Sequence, residues 1–354
     1  MAAVGKSIEL ELHRQALARP DSVELDESLR AAVLAGLRQR PKRISPVWFY
    51  DERGSCLFDE ICELPEYYVT RTELAILREH LPEMSTLIGP HACVIEPGSG
   101  TSLKTRLLLD ALDRPDIYIP VDVAREHLLA AVSQLRTEHP RLLVHPICAD
   151  FTAPFSVPDT GDSHRVVYFP GSTIGNFDRR EAVGLLARLR HATQNGAMLI
   201  GVDLAKDPRV LVPAYDDAAG VTAAFNLNAL EHLNREVGTD FDPAGFRHRA
   251  VWNCFESRIE MHLVSLRCQQ VTLGDEAIEF GEGEALVTEH SHKYTLEHFE
   301  GLAHAAGWRV ERVWTDPQRW FSIQWLVADA DPQTIAASAA TFGGADICPP
   351  RRLS

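Results

Sequence analysis

The stretch VIEPGSGTSLKT, residues 94–105, decides the fold. A short apolar run ends in glycines at positions 98 and 100, and a helical pattern follows at once. Glycines in this place let backbone N–H groups and the start of a helix approach a polar ligand closely. The third glycine of the NAD fingerprint would fall on Leu103, so that fingerprint is incomplete. The stretch predicts a ligand-binding loop without identifying its ligand.

The same order of apolar run and helix repeats downstream of this loop. The apolar runs lie at 116–123, 142–151, 165–176 and 197–204, with helical patterns at 124–139 and 181–192. Strands that are apolar throughout and alternate with helices are typical of a parallel sheet covered on both faces. The pattern predicts a doubly wound α/β unit over residues 70–205, which includes a helix over 72–81.

Acidic residues stand where the second and third of these predicted strands end. Asp122 can accept hydrogen bonds from a ribose diol, and Asp150 can meet an adenine amino group while the ring of Phe151 covers the base. With the glycine loop, these positions favour S-adenosylmethionine over NAD. Each position alone is equally well explained by a tight turn or a helix cap, so the preference for S-adenosylmethionine depends on their falling on consecutive strand ends.

The alternation stops at Lys206. A helix is predicted over 221–235, and the runs at 250–256, 258–273 and 285–294 suit an antiparallel sheet. A helix and two strands return after Leu296, and we expect them to complete the first sheet, which makes the middle block an insertion.

The two ends of the chain are predicted from weaker patterns. Residues 1–47 are helical where they are periodic, 41–55 form an ordered loop that is rich in turn residues, and 331–354 form a tail.

Composition and charge argue against several classes of protein. Of 354 residues, 45% are hydrophobic and 24% are charged, which is average for a globular protein and not for a disordered or coiled-coil chain. The net charge of −15 argues against nucleic acid or an anionic membrane as partner. The seven cysteines form no CxxC pair and no zinc-ligand spacing, and no secretory signal or membrane span is visible. We expect a cytoplasmic monomer without a metal.

Seven blocks of the sequence resemble the histidine-specific Nα-methyltransferases of ergothioneine biosynthesis. They are WFYDERGSCLFDEI (48–61), LPEYYVTRTE (64–73), EPGSGTSLKT (96–105), PGSTIGNF (170–177), AYDDAAGVTAAFN (214–226), RIEM (258–261) and TEHS (288–291). The resemblance implies that S-adenosylmethionine donates three methyl groups in succession to the α-amino group of L-histidine, which gives hercynine. It also implies a Rossmann-like class I methyltransferase sheet with a second, α+β substrate domain.

The resemblance also assigns domains and site residues. Residues 70–205 and 295–330 would bind the cofactor, and 1–69 and 206–294 would recognise the substrate. The implied cofactor-binding residues are Gly98, Lys104, Asp122, Asp150 and Phe151. The implied substrate-binding residues are Phe58, Tyr67, Asn176, Tyr215, Thr222, Met261, Glu289 and Ser291, and the implied catalytic residues are Tyr50 and Asn176.

Glu289 and Ser291 give the clearest signal of specificity. They are two positions apart in a predicted strand, so their side chains leave one face of it. A carboxylate that accepts from one imidazole nitrogen, beside a hydroxyl that donates to the other, would read both edges of a neutral histidine ring. Without the TEHS block, a solvated strand face would explain the pair better.

Two other functions stay open. A related enzyme could N-methylate another aromatic amino acid, such as a tryptophan derivative, although an indole offers one N–H donor and no ring acceptor for the Glu289 and Ser291 pair. A non-catalytic sensor of S-adenosylmethionine is the second. A nicotinamide dehydrogenase is disfavoured by Leu103.

Overall fold

The computed structural model describes residues 22–99, 103–161 and 163–329. Gly100, the predicted helical pattern before residue 22 and the predicted tail at 331–354 lie outside the described residues. The helices are α1 (Ser22–Leu37), α2 (Glu52–Glu63), α3 (Tyr68–Ile88), α4 (Leu103–Ala111), α5 (Arg125–Glu138), α6 (Arg179–Ala192), α7 (Pro208–Leu211), α8 (Val221–Val237) and α9 (Leu296–Ala305). Three short 3-10 helices cover Pro46–Phe49, Thr173–Asn176 and Pro243–Gly245.

The strands of the described residues fall into three sheets. They are β1 (Lys42–Arg43), β2 (Cys93–Pro97), β3 (Ile117–Asp122), β4 (Leu143–Val144), β5 (Ile147–Cys148), β6 (Arg165–Phe169), β7 (Ala197–Asp203), β8 (Phe246–Asn253), β9 (Arg258–Ser265), β10 (Gln269–Leu273), β11 (Glu276–Phe280), β12 (Ala285–His292), β13 (Trp308–Thr315) and β14 (Phe321–Ala328).

The chain divides into two compact units. Among the described residues, the larger unit consists of 59–220, 250–260 and 290–329, and the smaller unit consists of 22–58, 221–249 and 261–289. The segments predicted to recognise substrate, 1–69 and 206–294, overlap the smaller unit but extend beyond it, so Tyr67 and Tyr215 belong to the larger unit.

The larger unit contains an eight-stranded sheet in the order β13-β14-β7-β6-β2-β3-β4, with β5 also beside β3. The strands β2 to β7 pair in parallel, and β14 pairs antiparallel with both β7 and β13. Every residue of β2, β6 and β7 is buried, as expected for strands covered on both faces. The predicted doubly wound α/β fold is confirmed, and the last helix and two strands complete the sheet.

The order of the strands reverses beside β2. The chain runs from β2 to β3 and β4 on one side and later returns to β6 and β7 on the other. The loops after β2 and β6 therefore diverge, and the carboxyl ends of the strands at such a point form the crevice where open α/β sheets bind ligands. Gly98, directly after β2, has a φ of +69°, a left-handed conformation that favours glycine.

The smaller unit combines helix and sheet. It contains β1, β10 and β11 and parts of β8, β9 and β12. β1 pairs in parallel with β12, in a sheet with the order β1-β12-β9-β8, and β10 and β11 form an antiparallel hairpin. The run predicted over 258–273 is thus two strands, because the chain turns between Ser265 and Gln269.

The prediction that residues 41–55 form a loop is wrong. The segment contains β1, a 3-10 helix and the start of α2. Ser45 Oγ accepts from the backbone N–H of Val47 ahead of the 3-10 helix, with Pro46 at a position where it needs no N–H. The carboxylate of Asp51 accepts from the N–H of Gly54 over 2.7 Å and caps α2. Proline and glycine here begin helices instead of preventing them.

The predicted helix over 72–81 is longer than expected. It extends as α3 to Ile88 and includes Pro82. In the described part of the chain, no helix is long and apolar enough to cross a membrane.

Candidate active site

The loop after β2 lies against an aromatic ring. The N–H of Gly98 donates to the carbonyl of Val121 over 2.8 Å, and a Cβ at Gly98 would lie 3.3 Å from Cε1 of Phe151. The ring of Phe151 packs edge-to-face on Phe169 and Phe177, with centroids 5.9 and 6.4 Å apart. Gly98 therefore serves two needs, a left-handed backbone and space beside the Phe151 ring.

The two predicted acidic residues also lie at this edge of the sheet. Asp122 ends β3, and its Oδ1 accepts from the N–H of Ala124 over 2.8 Å. Burial raises the pKa of Asp122. Asp150 is exposed, and its Oδ1 accepts from the backbone N–H and the hydroxyl of Thr152. Both carboxylates thus stabilise turns, and this role is compatible with a ligand contact because a carboxylate has a second oxygen.

Lys104 is held by a buried carboxylate that sequence reasoning missed. Its Nζ donates to Oε2 of Glu73 over 2.7 Å, and the N–H of Gly171 donates to both oxygens of Glu73 at 3.0 Å. Glu73 is 1% exposed. A Cβ at Gly171, whose φ is +81°, would lie 3.5 Å from Lys104 Nζ. Lys104 therefore lies beside the turn that follows β6, near the point where the strand order reverses.

Four of the predicted substrate residues gather in the larger unit. The ring of Tyr67 meets the ring of Tyr215 edge-to-face at 6.2 Å, and the hydroxyl of Tyr215 lies 2.8 Å from Oγ of Ser291. A Cβ at Gly175 would lie 2.8 Å from the carbonyl oxygen of His292, so the turn that ends at Asn176 packs closely on the end of β12. Tyr67, Asn176, Tyr215 and Ser291 thus belong to one region.

A buried network connects this region to the sheet. Asp203 ends β7, and its carboxylate accepts from Lys293 Nζ at 2.6 Å, Lys206 Nζ at 2.5 Å and the hydroxyl of Tyr68 at 2.8 and 2.9 Å. Lys293 also donates to Tyr215 and Ser291. Although burial opposes its ionisation, the two ammonium groups hold the pKa of Asp203 below its usual value. Burial lowers the pKa of Lys206 to about 8, against the pull of Asp203.

The remaining predicted substrate residues lie in the smaller unit. The rings of Tyr50 and Phe58 both pack on Phe225, at 5.7 and 6.0 Å, and on each other at 5.8 Å. Tyr50 is 44% exposed, so part of this aromatic cluster faces solvent. Thr222 is buried in the first turn of α8.

Two more of these residues lie on strands. Met261 is buried on β9, and its carbonyl accepts from the hydroxyl of Thr288 at 3.0 Å. Glu289 is partly buried on β12, in the strand that was expected from the sequence.

The contributors that were not predicted are Glu73, Lys293 and Phe225, and, in the network around Lys293, Tyr68, Asp203 and Lys206. Glu73 and Phe225 lie within the blocks LPEYYVTRTE and AYDDAAGVTAAFN, and Lys293 follows Ser291 by two residues. Their position in or beside these blocks is the signal that the sequence offers for them.

The residues at the strand ends fit S-adenosylmethionine. The backbone of Gly98 leaves the space beside Phe151 that a side chain would fill. The partly buried carboxylate of Asp122 suits a ribose diol, and the ring of Phe151 suits an adenine base.

Comparison with known proteins agrees with this geometry. A family model described as histidine-specific, S-adenosylmethionine-dependent methyltransferase matches residues 29–328. The histidine N-alpha-methyltransferase of Mycolicibacterium smegmatis is 43% identical over 308 residues, which cover 85% of this chain and 95% of that one. The protein of that name from Mycobacterium tuberculosis is 41% identical over 296 residues, which cover 82% and 91%.

A solved S-adenosylmethionine-dependent methyltransferase from Clostridium acetobutylicum superposes with a TM-score of 0.44 at 9% identity, over 78% of this chain and 98% of that one. The resemblance inferred from the sequence blocks is confirmed by the family match, which spans most of the chain. The chain belongs to the family of histidine-specific, S-adenosylmethionine-dependent methyltransferases.

Proposed function

We propose that this protein transfers three methyl groups in succession from S-adenosylmethionine to the α-amino group of L-histidine, producing hercynine as the first step of ergothioneine biosynthesis. One observation carries the proposal. Asp203, at the carboxyl end of β7, is connected through Lys293 to the hydroxyls of Tyr215 and Ser291. Polar groups suited to an amino acid therefore lie in the same unit as the loop of Gly98.

The reaction needs alignment more than acid–base power. When bound, S-adenosylmethionine supplies an electrophilic methyl group. Tyr67, Asn176 and Tyr215 hold the amino acid end of histidine, so that the amine lone pair is aimed at the reacting carbon. Fixing two reactants in the correct geometry can contribute about 7–11 kcal/mol to catalysis.

The amine must be neutral to react, and Tyr50 orients it. An unperturbed phenol has a pKa of about 10, so Tyr50 is a weak base at neutral pH and acts as a hydrogen-bond partner first. Each methylation enlarges the amine, and the third leaves a permanent cation. The aromatic rings of Tyr50, Phe58 and Tyr67 provide faces on which a quaternary ammonium group is favourable.

Glu289 and Ser291 select the imidazole ring. Alternate residues of a strand share a face, and both lie on β12. The carboxylate of Glu289 accepts from one ring nitrogen, and the hydroxyl of Ser291 donates to the other. Met261 packs against the ring by virtue of its flexible, polarisable side chain.

Different segments of the chain bind the cofactor and the substrate. The loop and strand ends within 70–205, with 295–330, bind the cofactor, while 1–69 and 206–294 supply most substrate contacts. The protein acts as a monomer in the cytoplasm, a reducing compartment that suits the free thiols of its described cysteines.

Mass spectrometry tests the proposal directly. Purified protein is incubated with S-adenosylmethionine and either histidine or tryptophan. The expected result is histidine that has gained three methyl groups, with tryptophan unchanged. Methylation of tryptophan in preference to histidine would instead support a related enzyme with another aromatic substrate. Two unchanged amino acids, together with calorimetric binding of the cofactor, would support a sensor.

A further inference from the structure

All three hydrogens of the Lys293 ammonium group have an acceptor. Nζ lies 2.6 Å from Oδ2 of Asp203, 2.7 Å from the hydroxyl of Tyr215 and 2.8 Å from Oγ of Ser291. The side chain is completely buried. An ammonium group has three donors and no acceptor. Lys293 is therefore saturated by the protein itself and is not placed to bind a ligand directly.

This saturation fixes how the two hydroxyls are used. The oxygens of Tyr215 and Ser291 both accept from Lys293, so neither hydroxyl hydrogen points at that ammonium group. The two oxygens also lie 2.8 Å from each other, and one hydroxyl hydrogen fills that bond. While this hydrogen bond between Tyr215 and Ser291 persists, the hydroxyl that accepts in it directs its own hydrogen away from the triangle of Lys293, Tyr215 and Ser291.

The rest of the cluster anchors Lys293 through Asp203. Lys206 donates to the other oxygen of Asp203 and, at 2.6 Å, to the hydroxyl of Tyr68. The Asp203 N–H donates to Ser172 Oγ at 2.9 Å, which holds the end of β7. Lys206 therefore matches Lys293 in charge and in its Asp203 contact, but among the described hydrogen bonds it has none to Tyr215 or Ser291.

We propose that Lys293 is a positioning residue for substrate choice: it holds Tyr215 and Ser291 as coupled donors toward a ligand that carries a carboxylate beside a ring nitrogen. This inference rests on the proposed function, since that function supplies histidine as the ligand. When such a ligand binds, it replaces the mutual hydrogen bond of the two hydroxyls, so that a carboxylate accepts from one hydroxyl and a ring nitrogen from the other. An amino alcohol such as histidinol lacks the carboxylate, so it accepts fewer hydrogen bonds from the hydroxyls of Tyr215 and Ser291.

The test compares histidine with histidinol in the Lys293→Met variant and in the matched Lys206→Met variant. Loss of a hydrogen bond to a charged group changes affinity by about tenfold or more. In Lys293→Met we expect the ratio of kcat/KM for histidine to that for histidinol to fall by about tenfold, mainly through KM for histidine. Lys206→Met should leave this ratio unchanged. Calorimetric affinity for S-adenosylhomocysteine should stay at the wild-type value in both.

Three outcomes would overturn the inference. The first is that the wild type methylates histidine while Lys293→Met keeps the wild-type ratio of kcat/KM for histidine to that for histidinol. The second is that this ratio falls equally in Lys293→Met and Lys206→Met, because the loss of a positive charge beside Asp203 would then explain the effect without the contacts of Lys293 to Tyr215 and Ser291. A wild type that methylates neither compound is the third, and it refutes the proposed function as well.

A double-mutant cycle covers the case in which Lys293→Met does not fold. Because Tyr215 and Ser291 share one ammonium group and one mutual hydrogen bond, the losses of kcat/KM in Tyr215→Phe and Ser291→Ala should not multiply in the double variant. We expect the double variant to retain at least about threefold more activity than the product of the single losses predicts. Losses that multiply would show that the two hydroxyls act independently and would refute the inference.

Discussion

Lys104 and Glu73 form an ion pair over 2.7 Å at the edge of the sheet where the cofactor is expected. Glu73 is buried so closely against β7 that a side chain at Gly201 would collide with its carboxylate. Apart from Lys104, the described hydrogen bonds to Glu73 come from the N–H of Gly171. Lys104 therefore has a structural role as well as its proposed contact with the cofactor.

Replacing Lys104 by Met should destabilise the fold. Removal of one partner of a buried pair leaves an uncompensated charge and costs about 3–5 kcal/mol. Urea unfolding of the variant without ligand should show a loss of this size. The double variant Glu73→Gln/Lys104→Met should be more stable than Lys104→Met, because the glutamine keeps an acceptor for Gly171 and buries no charge. A Lys104→Met variant with wild-type stability would show that the lysine serves only the ligand.

Replacing Gly98 by Ala should weaken cofactor binding. A Cβ there would lie 3.3 Å from the ring of Phe151, which must shift, and the backbone is left-handed. Gly89, with a φ of +77° and open space around its Cβ position, is the matched control for backbone strain. We expect calorimetry to show that Gly98→Ala binds S-adenosylhomocysteine at least about tenfold more weakly, which corresponds to about 1.4 kcal/mol of binding free energy. The affinity of Gly89→Ala should equal that of the wild type. If Gly98→Ala bound S-adenosylhomocysteine as tightly as the wild type, the ring of Phe151 would not contact the cofactor.

The architecture was predictable because it depends on local patterns. The runs that became β2, β3, β6 and β7 are short and mostly apolar, and helical periodicity lies between them. The structure of residues 41–55 was not predictable in this way, because Pro46 and Gly54 are usually turn signals. Their roles at helix starts depend on hydrogen bonds to the side chains of Ser45 and Asp51.

The site was only partly predictable for a different reason. Gly98 directly follows β2 and Asp122 ends β3, so both can be located from the ends of predicted strands. Glu73 and Lys104 are 31 positions apart, and Asp203 and Lys293 are 90 apart. Such pairs form only when the sheet is assembled, so a single sequence carries no local pattern for them.

Replacing Glu289 by Gln should reduce histidine turnover far more than cofactor affinity. The glutamine keeps the size of the side chain but removes the negative charge that accepts from the imidazole. Loss of a charged hydrogen bond predicts about a 10- to 150-fold fall in kcat/KM for histidine. Steady-state kinetics measure that fall, and calorimetry should show wild-type affinity for S-adenosylhomocysteine. Equal losses for both ligands would contradict the role of Glu289 in specificity.

Glu96, in β2, should make the protein less stable as the pH rises toward neutral. Its carboxyl group is 1% exposed and accepts from the hydroxyls of Tyr118 at 2.6 Å and Thr105 at 2.8 Å. Burial raises its pKa from 4.5 to about 7, although the hydrogen bonds from Tyr118 and Thr105 oppose this. Between these values the unfolded chain has released the proton that the native protein keeps. The unfolded state therefore binds fewer protons, and the free energy of unfolding falls with pH.

The Glu96→Gln variant isolates this effect. Each pKa unit corresponds to about 1.4 kcal/mol, so Glu96 lowers the stability of the wild type by about 3 kcal/mol between pH 4.5 and pH 7. Urea unfolding of both proteins across this range should show the difference in their stabilities shift by that amount in favour of the variant as the pH rises. Other titrating groups are common to both proteins and cancel in this difference. Parallel curves would mean that Glu96 ionises in the native protein as readily as in the unfolded chain, and that its hydrogen bonds to Tyr118 and Thr105 offset the cost of burial.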